Sequence, residues 1–205
     1  ILVGGTGLYF KALTDGLVEI PFIPFRFRNQ VRSLQKSIGQ EMFYKKLLKV
    51  DPSIVSQIKP QDAQRTIRAY EVKLFTKKSI TEWCKNTKSN FKKKDFFKLY
   101  INQSRPKLIE KIYTRTKLML ENGAIQEVKK FSKYKISKDK SINKAIGLTE
   151  IKDLIKKKVT KEDVVEKISI KTRQYAKRQV TWARGHMSNW KKIKPEQLDK
   201  FLKKI

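Results

Sequence analysis

A short run of basic and polar residues carries the clearest chemical signal in this sequence. It extends from 177 to 185, follows Thr172-Arg173-Gln174, and contains Lys177, Arg178, Gln179, Trp182 and Arg184. A guanidinium group binds phosphate through two parallel hydrogen bonds, which a merely solubilising cation does not need. Only 10 of the 49 basic residues are arginine, and three of those ten lie between 173 and 184. The run therefore indicates a surface that binds an RNA backbone.

The spacing around this run predicts a helix over 161–184. At about 100° per residue, one mostly apolar arc collects nine residues: Val164, Val165, Ile168, Thr172, Tyr175, Ala176, Gln179, Trp182 and Ala183. We expect that arc to face the core, and Arg173, Lys177 and Arg184 to point outward, with Lys171 and Arg178 on a second ridge. Thr160 and Asp163 form the starting box and Gly185 the stop. That these cations only solvate an amphipathic helix stays an open alternative.

The overall charge favours a polyanionic partner. The 205 residues include 49 basic and 19 acidic ones, for a formal net charge of +30. Such a chain gains affinity for nucleic acid by releasing counterions from phosphates. Lysine enrichment alone can also reflect genome base composition, so the positions of the arginines carry more weight than the total.

Cysteine and histidine are too few for a disulfide framework or a metal site. Cys84 and His186 are the only residues of their types. We expect a soluble protein in a reducing cytoplasm, since the sequence shows neither a signal peptide nor an apolar run of about 20 residues. His186 is interpreted as a solvent-exposed or loop residue beyond the helix end.

The first ten residues read as the end of a buried parallel strand, a glycine turn and the start of a helix. Ile1 to Val3 would be the strand, and Gly4-Gly5-Thr6-Gly7 the turn. A chain rarely begins inside its central sheet, so we expect either truncation at the N-terminus or missing strands supplied from elsewhere. Taken by itself, Thr6 could equally be a turn residue that caps the next helix.

The middle of the chain is predicted to be mostly helical. Apolar periodicity from 29 to 50 indicates two helices with a break near Gly39, and Asp62 is positioned to cap a helix that carries Gln64, Arg65 and Arg68. Arg68 could instead form a buried ion pair with Glu71. Residues 96–101 have the character of a strand, and 105–121 form an amphipathic helix.

Three segments together resemble the tRNA dimethylallyltransferases, also called tRNA isopentenyltransferases. They are Gly4 to Tyr9, Asp62 to Val72 and Thr172 to Gly185. The resemblance runs along nearly the whole chain, and Arg105 to Val128 resembles the family's intervening helix. It implies a predominantly helical α/β fold, the C-terminal part of a P-loop NTPase-like core with a helical insertion lobe. Residues 1–20 and 96–205 would belong to the core, and 21–95 to a lobe that contacts tRNA.

The resemblance also implies an activity and its participants. The activity is transfer of a dimethylallyl group from dimethylallyl diphosphate to the exocyclic N6 amine of the adenosine 3′-adjacent to the anticodon, with Mg²⁺ as cofactor. The partner would be the anticodon stem-loop of tRNA, bound by a monomer that needs no membrane. Thr6 and Arg115 would be catalytic, and Gly4, Gly5 and Tyr9 would line the substrate channel. The tRNA would be bound by Arg28, Gln64, Arg65, Arg68, Lys144, Lys177, Arg178, Gln179 and Arg184.

Two elements of the family's pattern do not occur in these residues. No segment matches the phosphate-binding pattern G-x-x-x-x-G-K-S/T, and the aspartate that follows it as general base is also missing. We therefore expect the fragment to be inactive alone. A non-catalytic RNA-binding module is the alternative, and a dinucleotide-binding loop at Gly4 to Gly7 is a weaker one that lacks the further glycines and acidic residue of that motif.

Overall fold

A computed structural model describes residues 1–85, 87–137 and 140–203 of the chain. The fold is predominantly helical, as expected from the sequence. The helices are α1 (Gly7–Asp15), α2 (Phe25–Val50), α3 (Ala63–Thr76), α4 (Ile80–Lys85), α5 (Arg105–Glu121), α6 (Ala124–Phe131), α7 (Leu148–Ile155), α8 (Lys161–His186) and α9 (Leu198–Leu202). Short 3-10 turns occur at Pro52–Ser56, Lys93–Asp95, Ser141–Lys144 and Pro195–Gln197.

The strands of the described residues form a small parallel sheet. Strand β1 (Leu99–Ile101) pairs with β2 (Lys191–Ile193), with Tyr100 opposite Lys192. The strand expected within 96–101 is thus confirmed in its second half. The strand expected at Ile1 to Val3 is wrong, because these three residues are exposed and lie in no strand. A strand needs a neighbour for its backbone hydrogen bonds, and the described residues place none beside this segment.

The chain divides into two compact units, one formed by residues 1–7 and 97–205 and the other by residues 8–96. The core of the second unit packs α2 against α3 and the Pro52–Ser56 turn. Its buried apolar residues are Val31, Phe43, Tyr44, Leu47, Ile54, Ile58, Ala69 and Tyr70. That the units serve as catalytic core and tRNA-contacting lobe, with the boundaries expected from the sequence, stays a prediction.

Two local signals in the unit of residues 8–96 act as the sequence predicts. Gly39 interrupts α2 with a φ of 77° and a ψ of 165°, which is outside helical geometry, so the break expected there is confirmed. Asp62 caps α3 by accepting a hydrogen bond from the Arg65 backbone N–H at 3.1 Å. The cap fixes where α3 begins and therefore which of its side chains reach the surface.

The other unit is organised around α8. Its buried core joins residues of α5, α6, α7 and α8: Leu120, Val128, Leu148, Ile151, Val164, Val165 and Ile168. Thr160 and Asp163 form the expected box, with the Asp163 N–H donating to Thr160 Oγ1 at 3.1 Å and the Thr160 N–H donating to Asp163 Oδ2 at 2.9 Å. The helix ends at His186, two residues later than expected. Gly185 remains helical there, and the Met187 N–H closes the last turn on the Ala183 carbonyl at 2.8 Å.

Within residues 1–85, 87–137 and 140–203, no helix combines the length and the apolar character that crossing a bilayer requires. The cytoplasmic location expected from the sequence stays a prediction.

Candidate nucleic-acid interface

The basic residues of α8 lie on its exposed side. Arg173, Lys177, Arg178 and Arg184 are all exposed, while Val164, Val165, Ile168 and Ala183 are buried. Tyr175 is 43% exposed, so its expected place in the core is wrong. Helices α5 and α7 both pack against α8, but they leave Tyr175 exposed, whereas Ala183 nearer the end of α8 is buried. The apolar arc is therefore covered towards both ends of α8 and open at Tyr175.

The exposed Tyr175 pairs with a neighbouring arginine on the same helix. The Arg178 guanidinium carbon lies 5.5 Å from the centroid of the Tyr175 ring. A cation over an aromatic face at this distance is attracted electrostatically, which restrains the long side chain. Arg178 is thereby held at the surface with N–H donors available for an anion.

The glycine segment Gly4 to Gly7 lies against the second half of α8. A Cβ built on Gly5 would coincide with the Gln179 side-chain amide, and one built on Gly7 would overlap the Trp182 ring. At Gly7 the neighbour is a ring, so this close approach needs a residue without a Cβ, whereas at Gly5 the neighbour is the flexible end of Gln179. Gln179, expected to bind tRNA, thus has its amide against the backbone of the glycine segment.

Trp182 is itself held by His186. The two rings stack with centroids 4.3 Å apart and an interplanar angle of 6°, and His186 Nδ1 lies 3.0 Å from the Trp182 carbonyl oxygen. His186 is exposed, as expected, but it is the last residue of α8, so its expected position beyond the helix end is wrong. The signal in the sequence was the i, i+4 spacing of two rings, which places them on one side of a helix.

The two residues expected to be catalytic are both exposed. Thr6 lies in the glycine segment between Gly5 and Gly7, and Arg115 lies on α5, which packs against α8. In the described part of the chain, no hydrogen bond or ion pair joins Thr6 to Arg115. Tyr9 is exposed on α1, in the unit of residues 8–96. The catalytic and channel roles of these residues stay predictions.

A buried carboxylate ties α7 to α8. Glu150 is only 6% exposed, accepts a hydrogen bond from the Gly147 N–H at 3.1 Å, and forms an ion pair with Lys171. Burial pushes the pKa of Glu150 upward, but the hydrogen bonds and charge of Lys171 and the backbone N–H groups outweigh burial, so its pKa lies below its ordinary value. Lys171, expected on an outward ridge, thus pairs with Glu150. Lys144, expected to bind tRNA, is exposed.

We expect Glu150→Gln to lower the free energy of unfolding by about 1–2 kcal/mol at pH 7, because a charge-assisted hydrogen bond is replaced by a neutral one. A carboxyl group whose folded pKa is lowered stabilises the protein above its unfolded pKa and stops doing so as pH falls through the folded value. The gap between wild type and variant should therefore be constant from neutral pH down to about 5 and shrink below about 4.

Urea unfolding of both proteins across this pH range measures the gap. Glu166→Gln, an exposed change on α8, is the matched control and should show little effect at any pH. A gap for Glu150→Gln that stays constant into strong acid would contradict this role for the pair.

The unit of residues 8–96 places several expected tRNA-binding residues on α2 and α3. Gln64 and Arg65 are exposed, and Arg65 Nε lies 3.4 Å from Asp62 Oδ2. Arg68 and Arg28 both approach Glu71, so the pairing of Arg68 with Glu71 that the sequence left open is present. Arg32, which the sequence analysis did not single out, approaches the same carboxylate.

Neither unit shows a protein-built metal centre among its described residues. No group of three or more His, Cys, Asp or Glu side chains there is arranged to hold an ion. The ligands that Mg²⁺ prefers are oxygens, including those of substrate phosphates.

The motif-bearing segments at the two ends of the chain thus meet in one unit, where Gly4 to Gly7 lies against α8. The sequence model of the IPP transferase family matches residues 1–186, which include both segments. The chain belongs to this family.

Relatives of this IPP transferase chain carry consistent names. A tRNA dimethylallyltransferase of Pelagibacter ubique is 56% identical over 205 residues, covering 100% of this chain and 66% of the relative. One of Allorhizobium ampelinum is 39% identical over 199 residues, covering 95% of this chain and 65% of the relative. The chain thus spans a little less than two thirds of the length of these relatives.

A solved structure shows the fold relationship. A eukaryotic dimethylallyltransferase acting on tRNA superposes with a TM-score of 0.75 at 27% identity, covering 93% of this chain and 50% of the other. The fold class expected from the sequence, predominantly helical and related to the P-loop NTPases, is confirmed.

Proposed function

We propose that this chain is the tRNA-binding and channel-forming part of a tRNA dimethylallyltransferase. The activity would transfer a dimethylallyl group to N6 of the adenosine 3′-adjacent to the anticodon. The observation that carries the proposal is that α8 has two different sides. Gly4 to Gly7 packs against Gln179 and Trp182 on one side, and the opposite, exposed side presents a row of cations. One helix can thus hold an RNA backbone and support a reaction channel.

The chemistry explains why both features are needed. An adenine amine is a weak nucleophile and is stacked in the anticodon loop, so the base must leave the stack and enter a protein channel. Its N6 atom then bonds to C1 of the dimethylallyl group while the C–O bond to diphosphate breaks. The amine loses a proton to a base, and the departing diphosphate gains negative charge that fixed donors stabilise best.

Within this proposal, Gly4, Gly5, Thr6 and Tyr9 line the channel, and Thr6 contacts the reacting amine. Arg115 binds the diphosphate, a role that suits an exposed guanidinium. The described residues hold no group of three or more side chains that could bind Mg²⁺ by themselves, so the expected ion would be bound mainly by diphosphate oxygens.

The tRNA would be bound by exposed or half-exposed groups on several elements. They are Arg28 on α2, Gln64, Arg65 and Arg68 on α3, Lys144 at the end of the Ser141–Lys144 turn, and Lys177, Arg178 and Arg184 on α8. Gln179 would contribute by holding the glycine segment in place. The proposal also includes the monomeric state and cytoplasmic location expected from the sequence.

Transfer of a labelled dimethylallyl group to tRNA tests the proposal. We expect the 205 residues to bind tRNA and transfer nothing alone, because none of their segments has the G-x-x-x-x-G-K-S/T pattern. A chimera that adds the segment of the Pelagibacter ubique relative not spanned by this chain should transfer the label. Thr6→Ala in the chimera should slow transfer by about 10²-fold or more if Thr6 contacts the reacting amine.

Two controls make this assay decisive. A tRNA with guanosine in place of the adenosine next to the anticodon should accept no label, and Arg26→Ala, an exposed change on α2, should leave transfer unchanged. A chimera that binds tRNA without transferring the label would favour the non-catalytic RNA-binding module. Transfer by the 205 residues alone would contradict the assignment of the missing phosphate loop and base.

A further inference from the structure

Three arginines surround one buried carboxylate in the unit of residues 8–96. Glu71 on α3 is 1% exposed, and its Oε2 lies 3.7 Å from Arg28 Nε and 3.5 Å from Arg68 Nη1. Its Oε1 lies 3.9 Å from Arg32 Nε. Arg28 and Arg32 belong to α2 and Arg68 to α3, so the carboxylate brings cations from these two helices together. We call these four residues the Glu71 cluster.

The cluster has more positive charge and more hydrogen-bond donors than Glu71 can use. Three guanidinium groups against one carboxylate leave a net charge of +2. None of the three distances is short enough for a hydrogen bond, and among the described residues Arg28 Nε and Glu71 Oε1 are buried without a hydrogen-bond partner. Buried polar groups are nearly always paired, so this arrangement is incomplete as it stands.

All three arginine side chains also reach the surface. Their exposed fractions are 31% for Arg28, 54% for Arg32 and 41% for Arg68. A purely structural ion pair for Glu71 requires only one arginine. Two further guanidinium groups would repel that arginine and would not be needed for the pair. Each guanidinium group can therefore direct N–H donors towards solvent while Glu71 holds the side of the group that faces the protein.

We propose that Glu71 gathers Arg28, Arg32 and Arg68 into one phosphate-binding site that takes a phosphodiester of an RNA backbone. Arg32 is a binding residue of this site, and Glu71 is a positioning residue that acts through the arginines. The site extends the proposed function, on which it rests for the identity of the RNA as tRNA.

The surroundings favour an RNA backbone over a small free anion. The Arg28 guanidinium lies 5.5 Å from the centroid of the Phe25 ring, and Phe25 is itself exposed. Arginines beside an exposed aromatic ring are typical of surfaces that follow a nucleic-acid strand, where bases and phosphates alternate. The open cluster does not enclose an ion, whereas a phosphodiester is held in place by the rest of its strand.

The sign of the effect of Glu71→Gln tests the positioning role. This change keeps the side-chain shape and raises the net charge of +30 by one. Long-range electrostatics alone predicts tighter RNA binding, whereas loss of the carboxylate that aligns the three arginines predicts binding weaker by about threefold to tenfold. The affinity of the full chain for an anticodon stem-loop RNA is measured at several salt concentrations, with the melting temperature as a check on folding. Tighter or unchanged binding by folded Glu71→Gln would overturn the positioning role.

Arg32→Ala tests the site even if Glu71→Gln fails to fold. We expect affinity to fall about fivefold to tenfold and the slope of log affinity against log salt to fall by about 0.7–0.9, the values for one lost phosphate contact on single-stranded nucleic acid and on duplex DNA. Arg26→Ala is the matched control, because Arg26 is exposed on another side of the same helix. Equal affinities and slopes for the two variants would overturn the site.

Two further arms separate the possible anions and the two proposals. Inorganic phosphate at millimolar concentration should not displace the RNA; displacement from wild type but not from Arg32→Ala would overturn the RNA assignment in favour of a free anion. A chimera that shows the Arg32 effect but transfers no dimethylallyl group would contradict the proposed function and leave the site standing. Normal dimethylallyl transfer by the chimera, together with unchanged RNA binding by the Arg32 and Glu71 variants, would contradict the phosphate-binding site and leave the proposed function standing.

Discussion

Gly7→Ala is expected to lower the free energy of unfolding by about 1–3 kcal/mol and to weaken tRNA binding with it. The added methyl group would overlap the Trp182 ring, which cannot turn away freely because it stacks on His186. Overpacking of a well-filled contact costs free energy of this size because neighbouring groups must move. Since Gly7 starts α1 and follows Thr6, the displaced segment would also move the residue proposed to contact the substrate. Urea unfolding and tRNA binding measure the two effects.

Two other glycines serve as controls for this change. Gly5→Ala meets the flexible end of Gln179 and should cost clearly less than Gly7→Ala. Gly185→Ala on α8 meets nothing within 4 Å and should be neutral or slightly stabilising. Combining Gly7→Ala with Trp182→Leu should recover part of the loss, since the ring that causes the clash is gone. Equal costs for the Gly5 and Gly7 changes would contradict the packing of Trp182 on this segment.

The triple variant Lys177→Ala, Arg178→Ala, Arg184→Ala is expected to weaken tRNA binding at least about a hundredfold. Each side chain is exposed on α8, and a charge-assisted phosphate contact contributes about 1–3 kcal/mol. Because three contacts are removed, the slope of log affinity against log salt should fall by about 2.1–2.7. Titrations of labelled tRNA at several salt concentrations give both numbers.

A second triple variant separates specific contacts from total charge. Lys129→Ala, Lys130→Ala, Lys133→Ala removes the same charge from exposed residues in and just after α6. We expect it to weaken tRNA binding by only a few-fold, through the general field of the protein. Equal losses for the two triple variants would show that α8 provides no particular phosphate contacts.

Local patterns predicted the helical elements and the charged side of α8 well. The Thr160 and Asp163 box, the Asp62 cap and the break at Gly39 each depend on neighbouring residues only, and each is present. The exposure of Lys177, Arg178 and Arg184 also follows from a 3.6-residue period. These features could be predicted because the physics that determines them is local.

Contacts between distant segments could not be predicted in the same way. The expected burial of Tyr175 assumed that α8 is covered along its whole length, and the expected strand at Ile1 to Val3 assumed a neighbouring strand. The pairing of Lys171 with Glu150 and of Arg32 with Glu71 depends on which helices pack together. Periodicity indicates which side of an element is apolar, but not which element covers it.

Competition binding tests most directly the claim that the exposed basic side of α8 and the Glu71 cluster are shaped for tRNA. Labelled tRNA bound to the 205-residue chain is displaced at fixed salt by unlabelled tRNA or by unstructured RNA of the same length and charge. We predict that tRNA displaces the label at least about tenfold more effectively, because phosphates held in a defined fold can meet fixed arginines together. Equal displacement by the two RNAs would contradict the account.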